Sequence, residues 1–105
     1  MKSKVSAMAA HIEWAHFAAL RALMHAPGYT LHHGELTEAL GRSSAYAGLT
    51  CADLLAAGLV TYSPLQRGDI AIRLTYEGRA VYEYLRQRGT FNPGGVWGIE
   101  LEPGK

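Results

Sequence analysis

The sequence has little cysteine and little net charge. Its 105 residues include 1 cysteine, so no disulfide can form within the chain and a disulfide-stapled secreted fold is excluded. Cys51 is predicted to be a small core side chain, with a redox-sensing thiol as the alternative. The 10 basic and 9 acidic residues leave a formal net charge of +1. The chain as a whole therefore lacks the basic excess of a domain that is strongly attracted to nucleic acid.

Long apolar runs are also absent. No stretch approaches the ~18 uninterrupted apolar residues of a membrane span, so no membrane partner is predicted. Hydrophobic residues make up 49% of the chain, which is enough for one compact core at this length. We expect a soluble, cytoplasmic protein with a flexible basic arm at 1–8 and one domain at 9–89. A tail at 90–105 contains glycine and proline and can form a short strand.

Patterns typical of catalytic or metal sites are missing as well. The five histidines are His11, His16, His25, His32 and His33. His11 and His16 fall on different faces of a helix, and the neighbours His32 and His33 point apart, so no set of metal ligands converges. No nucleophile lies beside a base, and the glycine cluster at 94–98 has no strand before it and no helix after it. We predict no enzymatic activity, no bound metal and no cofactor.

A helix is predicted between two strong end signals, Ser43 and Gly58. The hydroxyl of Ser43 can accept an amide proton of the first turn, and Gly58 suits the left-handed residue that closes a helix. Between them Ala47, Cys51 and Leu54 recur at helical spacing, so one stripe can face a core. The opposite side is free to contact a partner.

A β-hairpin is predicted after that helix, because the apolar period changes from 3.6 to 2. Its strands are the runs 59–63 and 70–74, and the turn at 64–69 contains proline and glycine. Thr75 can cap a final helix that runs to Arg88.

Two further helices are predicted earlier in the chain, at 9–25 and 32–40. The first has two apolar stripes on nearly opposite sides, whereas a surface helix needs only one. The second stripe is therefore expected to meet another subunit or the C-terminal tail. We predict a homodimer, because a lone small domain would expose a large apolar patch. The predicted dimer interface consists of Ile12, His16, Ala19, Leu23, Trp97, Ile99 and Leu101.

The predicted fold is α+β and mostly helical, with three helices, a hairpin, a C-terminal helix and a short extended tail. This order resembles the winged helix-turn-helix of MarR-type (multiple-antibiotic-resistance regulator) transcription factors over residues 30–85. The residues that carry the resemblance are Leu36, Leu40, Gly41, Ser43, Leu54, Gly58, Leu59, Val60, Asp69, Leu74, Thr75 and Gly78. The resemblance implies a symmetric dimer that binds double-stranded DNA and regulates transcription. It also implies that a short strand at 30–31 pairs with the hairpin, called the wing.

The helix that begins at Ser43 and the wing are the expected DNA contacts. The predicted DNA-binding residues are Arg42, Ser43, Ser44, Ala45, Tyr46, Leu49, Gln66, Arg67 and Arg73. Arg42 and Arg67 are expected to supply affinity through phosphates, and a dimer would read a (pseudo)palindromic site. The rest of the helix surface is small and apolar, which favours weak discrimination between bases. The same surface leaves an alternative open: a winged-helix module that binds a protein, as an adaptor or as an inhibitor of a host protein.

Overall fold

The structure, a computed structural model, describes Ala9 and residues 12–88 of the chain. The elements in chain order are α1 (Trp14–Met24), β1 (Thr30–His32), α2 (His33–Leu40), α3 (Ser44–Ala56), β2 (Val60–Pro64), β3 (Ile70–Leu74) and α4 (Tyr76–Arg88). Single 3-10 turns occupy Pro27–Tyr29 and Gln66–Gly68. This order confirms the predicted α+β arrangement. The predicted arm at 1–8 and tail at 90–105 lie outside the described residues.

The three strands form one antiparallel sheet in the order β1-β3-β2. Thr30 lies opposite Arg73 on one side of β3, and Thr61 lies opposite the same residue on the other side. The predicted hairpin and the predicted pairing of β1 with it are both confirmed. Along β3, Ile72 and Leu74 are buried while Arg73 is exposed, because successive side chains of a strand point to opposite faces.

The regular helix α1 begins at Trp14, although the predicted helix starts at Ala9. Ala9 is helical, but Ile12 and Glu13 interrupt the helix before Trp14. Glu13 has an extended backbone, and its amide donates to Nδ1 of His16 at 3.1 Å. A histidine at the third helical position therefore takes up one of the amide protons that a helix start leaves unpaired. This contact separates Ala9 and Ile12 from the regular helix.

Helix α1 is the centre of the core. It packs against α2, α3, α4 and β3. Ile12, Ala19 and Leu23 are buried within this single chain, with Ala19 and Leu23 at 0% exposure. These three residues of the second apolar stripe are therefore covered without a partner chain, so their burial does not itself require a dimer. Trp97, Ile99 and Leu101, the other part of the predicted dimer interface, lie outside the described residues.

A compact junction joins the end of α3 to the start of α4. The amide of Thr75 donates to the Leu59 carbonyl oxygen at 3.0 Å, and its hydroxyl donates to the Gly58 carbonyl oxygen at 2.8 Å. The same hydroxyl accepts from the amide of Gly78 at 2.9 Å, which confirms Thr75 as a helix cap. A Cβ atom at Gly78 would overlap the Leu59 carbonyl oxygen and lie 2.6 Å from Cδ1 of Leu74. Glycine at 78 therefore allows α4 to approach the wing closely.

Candidate nucleic-acid interface

The exposed start of α3 is built by a turn and a cap. Gly41 has a positive φ of 67° and ends α2 in the left-handed conformation. Oγ of Ser43 then accepts from the amide of Tyr46 at 3.1 Å, as its predicted capping role requires. The guanidinium carbon of Arg42 lies 4.8 Å from the centre of the Tyr46 ring. This contact between a cation and an aromatic face holds the Arg42 side chain against the first turn of the helix.

The outward side of α3 is an apolar stripe, which we call the outer stripe: Ala45, Leu49, Ala52 and Ala56. All four residues are exposed, and Leu49 is exposed to 70%. The steps of four, three and four residues place them in line along one side of the helix. The opposite side carries the buried residues Ala47, Thr50, Cys51 and Leu54. The helix thus has one face in the core and a second apolar face in solvent.

The tip of the wing presents Gln66 and Arg67 to solvent. Arg67 has φ 65° and Gly68 has φ 75°, so the turn uses two successive left-handed residues. The amide of Leu65 donates to the Asp69 carbonyl oxygen at 2.9 Å and closes this turn. A left-handed backbone is unfavourable for arginine, and it persists because the closed turn imposes it.

Three arginines of the predicted interface have no carboxylate partner among the described residues. The ion pairs there are His16 with Asp53, His32 with Asp69 and Arg86 with Glu83. Arg42, Arg67 and Arg73 take part in none of them. All three are exposed, so their charge is available to an anionic partner.

Two histidines hold other elements against this surface, and sequence reasoning missed both contacts. Nε2 of His16 on α1 lies 3.0 Å from Oδ2 of Asp53 on α3. Because Nδ1 of the same ring accepts the Glu13 amide, Nε2 carries the proton in the neutral ring and donates to Asp53. His32 at the start of α2 lies 3.2 Å from Asp69 at the wing. In both pairs the two residues are 37 positions apart in the sequence. No local sequence pattern therefore predicts either contact.

Cys51 lies on the buried side of α3. Burial raises the pKa of its thiol from 9.0 to about 11, because the charged thiolate loses its hydration there. The thiol therefore stays protonated at neutral pH, which favours the predicted core role over the redox alternative.

Metal-binding clusters and membrane-spanning helices are both absent from the described part of the chain. It contains no group of three or more His, Cys, Asp or Glu side chains that could hold a metal ion. None of its helices has both the length and the apolar character that crossing a membrane requires.

Comparison with known proteins identifies the fold. A MarR family transcriptional regulator from Streptomyces coelicolor has 23% identity and a TM-score of 0.70, over 80% of this chain and 60% of its own. The fold is the winged helix of MarR family regulators. The PcaV transcriptional regulator of S. coelicolor, in complex with its natural ligand, has 27% identity and a TM-score of 0.65 over 71% of this chain and 53% of its own.

Two similar MarR structures contain DNA. One is a mutant of MarR from Escherichia coli complexed with operator DNA, with 21% identity and a TM-score of 0.67 over 79% of this chain and 61% of its own. The other is a MarR family regulator from S. coelicolor in complex with DNA, with 23% identity and a TM-score of 0.62 over 71% of this chain and 46% of its own. The winged helix described here spans about half to three fifths of the length of these proteins. No model of a protein family and no curated protein matches the sequence.

Proposed function

We propose that this chain is a DNA-binding transcriptional regulator that reads a (pseudo)palindromic site as a homodimer through α3 and the wing. The observation that carries the proposal is a set of exposed arginines that have no carboxylate partner among the described residues. Arg42 at the start of α3 and Arg67 at the wing tip matter most. The winged-helix fold, shared with two regulators whose structures contain DNA, supports it.

The start of α3 is suited to a phosphate. Amides in the first turn of a helix have no partner within the helix, and the helix dipole favours negative charge there. Ser43 takes up the amide of Tyr46, so the amides of Ser44 and Ala45 remain for an anion. Arg42 adds a full positive charge beside them. In this proposal the first turn and Arg42 together bind one phosphate group of each half-site.

The wing supplies a second, separate contact. Arg67 projects from the tip of the hairpin, with Gln66 beside it. A winged helix that places α3 in the major groove brings such a tip to the flanking phosphates or the minor groove. Arg73 lies on the exposed face of the sheet between Thr30 and Thr61, and we propose it as a weaker contact to the DNA backbone.

The experiment that tests this function is an electrophoretic mobility shift with fragments of genomic DNA, including the promoter of the gene itself, at two salt concentrations. Retention of one fragment in excess competitor, with affinity that falls steeply as salt rises, is the expected result. Binding to all fragments alike, or to none, would contradict a sequence-reading regulator.

The homodimer rests on separate grounds. Ile12, Ala19 and Leu23 are buried in the core and His16 is bonded to Asp53, so α1 does not supply the exposed stripe first expected of it. We propose that the remaining predicted residues, Trp97, Ile99 and Leu101, contribute the dimer contacts because apolar and other residues alternate there. A monomer by light scattering at ~100 μM, where even a micromolar dimer should form, would overturn this part of the proposal.

A second candidate function is binding of a protein partner through the outer stripe. Leu49 at 70% exposure is the observation that favours it, since large exposed apolar side chains mark many interaction sites. The formal charge of +1 is compatible with it. A co-purifying protein that is lost in a Leu49→Ser variant, together with no mobility shift, would favour this candidate over DNA binding.

A further inference from the structure

The outer stripe of α3 contains no side chain that can form a hydrogen bond. Ala45, Ala52 and Ala56 end in a methyl group, and Leu49 is the only longer side chain among the four. Direct reading of base edges in the major groove normally uses arginine, lysine, asparagine or glutamine. The four residues of the outer stripe therefore cannot read bases by the usual hydrogen bonds.

The polar residues beside the stripe are already engaged. Tyr46 lies under the guanidinium of Arg42 at 4.8 Å. Asp53 accepts from His16 at 3.0 Å and is thereby drawn toward α1. The carboxylate of Asp53 is therefore occupied, and the Tyr46 hydroxyl is the polar group left at the first turn. Leu49, one turn further along, has only an apolar side chain to offer.

The charges around the stripe indicate what covers it. Arg42 stands at one end of α3 and Arg67 at the wing tip, and neither has a carboxylate partner among the described residues. An apolar strip on a domain that also exposes these cations complements a surface that carries both anionic groups and an apolar group. The major groove has such a surface where phosphates flank a thymine, whose 5-methyl group is the only apolar group that a base presents there.

We propose that Leu49, with Ala45 one turn before it, reads the 5-methyl groups of thymine in the major groove, so that the preferred half-site is defined by thymines. This inference rests on the proposed function and deepens it. The contact is the burial of a methyl group against an exposed leucine, and removing one methyl should weaken binding by about three- to fivefold.

The test uses deoxyuridine, which differs from thymidine only by the missing methyl. A site is selected from a library of random 20-base-pair duplexes, and each thymine of the best duplex is replaced singly by deoxyuridine. Dissociation constants are measured for the unaltered protein, for Leu49→Ala and for the matched control Leu55→Ala. Leu55 is on the same helix and is exposed to 40%, but it is not in the outer stripe.

The expected result is a three- to fivefold loss at one or two thymines of each half-site for the unaltered protein and for Leu55→Ala. The Leu49→Ala protein should lose this sensitivity at the thymine that Leu49 contacts and keep it only at a thymine contacted by Ala45. Equal binding of both duplexes by the unaltered protein would overturn the inference while leaving DNA binding intact. A selected site without a recurrent thymine, or a Leu49→Ala protein as sensitive to uracil as the unaltered one, would also overturn it. No selection of any duplex would overturn this inference and the proposed function together.

Discussion

Helices α1 and α3 are both rich in alanine and leucine, yet they differ in what covers them. Helix α1 packs against three helices and a strand, and the described residues of its two apolar stripes are buried or half-buried. Helix α3 buries one stripe and leaves the outer stripe, with Leu49, in solvent. Apolar content alone therefore does not reveal whether a helix face belongs to a core or to a binding surface. The neighbours of each face decide, and those depend on the whole fold.

The largest expected effect is on the free energy of unfolding, when one leucine of each helix is replaced by alanine. Leu23→Ala should lower the free energy of unfolding by ~2–5 kcal/mol, because Leu23 is fully buried in α1 and its loss leaves a cavity. Leu49→Ala should change it by less than ~0.5 kcal/mol, because that side chain is largely exposed. Urea unfolding of both variants measures the two losses of stability. The slope m of the unfolding free energy against urea concentration should not change. Similar losses of stability in both variants would mean that Leu49 is buried as Leu23 is.

A second pair compares glycines in α4 and α3. Gly78→Ala should destabilise the chain by ~1–3 kcal/mol or more, because its Cβ would overlap the Leu59 carbonyl oxygen. Gly48→Ala should stabilise it by ~0.5–1 kcal/mol, since alanine favours a helix and its Cβ would lie 3.8 Å from Nε2 of His33, an ordinary contact. Thermal unfolding followed by circular dichroism measures both. A stable Gly78→Ala protein would contradict the close approach of α4 to the wing.

The third comparison is between the buried and the exposed side of α3, and the effect on stability that it involves is the smallest near neutral pH. The pKa of Cys51 rises from 9.0 to about 11 in the folded chain, so its contribution to stability is complete below pH 9 and is lost as pH rises toward 11. At pH 8, iodoacetamide should alkylate Cys51 far more slowly in the folded chain than in urea.

The matched control for this measurement is Leu49→Cys in a Cys51→Ala background. That thiol lies on the outer stripe and should react at the rate of a free cysteine. Equal rates for the two positions in the folded chain would contradict the division of α3 into a buried and an exposed side.

Much of the fold could be predicted from local signals. Ser43 and Thr75 accept the amides that their capping roles require, and Gly58 has the left-handed φ of 79° expected of a closing residue. The wing is predicted by the change in spacing of the apolar residues from 3.6 to 2, a pattern that depends only on neighbouring residues. Each of these features is decided within a few residues of the chain.

The features that escaped prediction depend on distant residues. The burial of Ile12, Ala19 and Leu23 depends on how the rest of the chain packs on α1, which no local pattern predicts. The guanidinium of Arg79 lies 4.8 Å from the centre of the Tyr29 ring, and the two residues are far apart in sequence. The bond from His16 to Asp53 likewise joins different helices. At the candidate site, the exposed arginines and the small, apolar surface of α3 are predicted from the sequence. The contact that occupies Asp53 is not, because it depends on the packing of α1 against α3.

The most direct measurement of the central claim is the salt dependence of DNA binding after removal of the two unpaired arginines. Kd is measured at several salt concentrations for the unaltered protein, for the double variant Arg42→Ala, Arg67→Ala, and for the control Arg86→Ala, whose arginine is already paired with Glu83 on α4. In a dimer each lost phosphate contact counts twice, so the double variant should flatten the slope of log K against log salt by roughly four units. The control should match the unaltered protein. A double variant with unchanged affinity and unchanged slope would contradict the assignment of α3 and the wing as the DNA-binding surface.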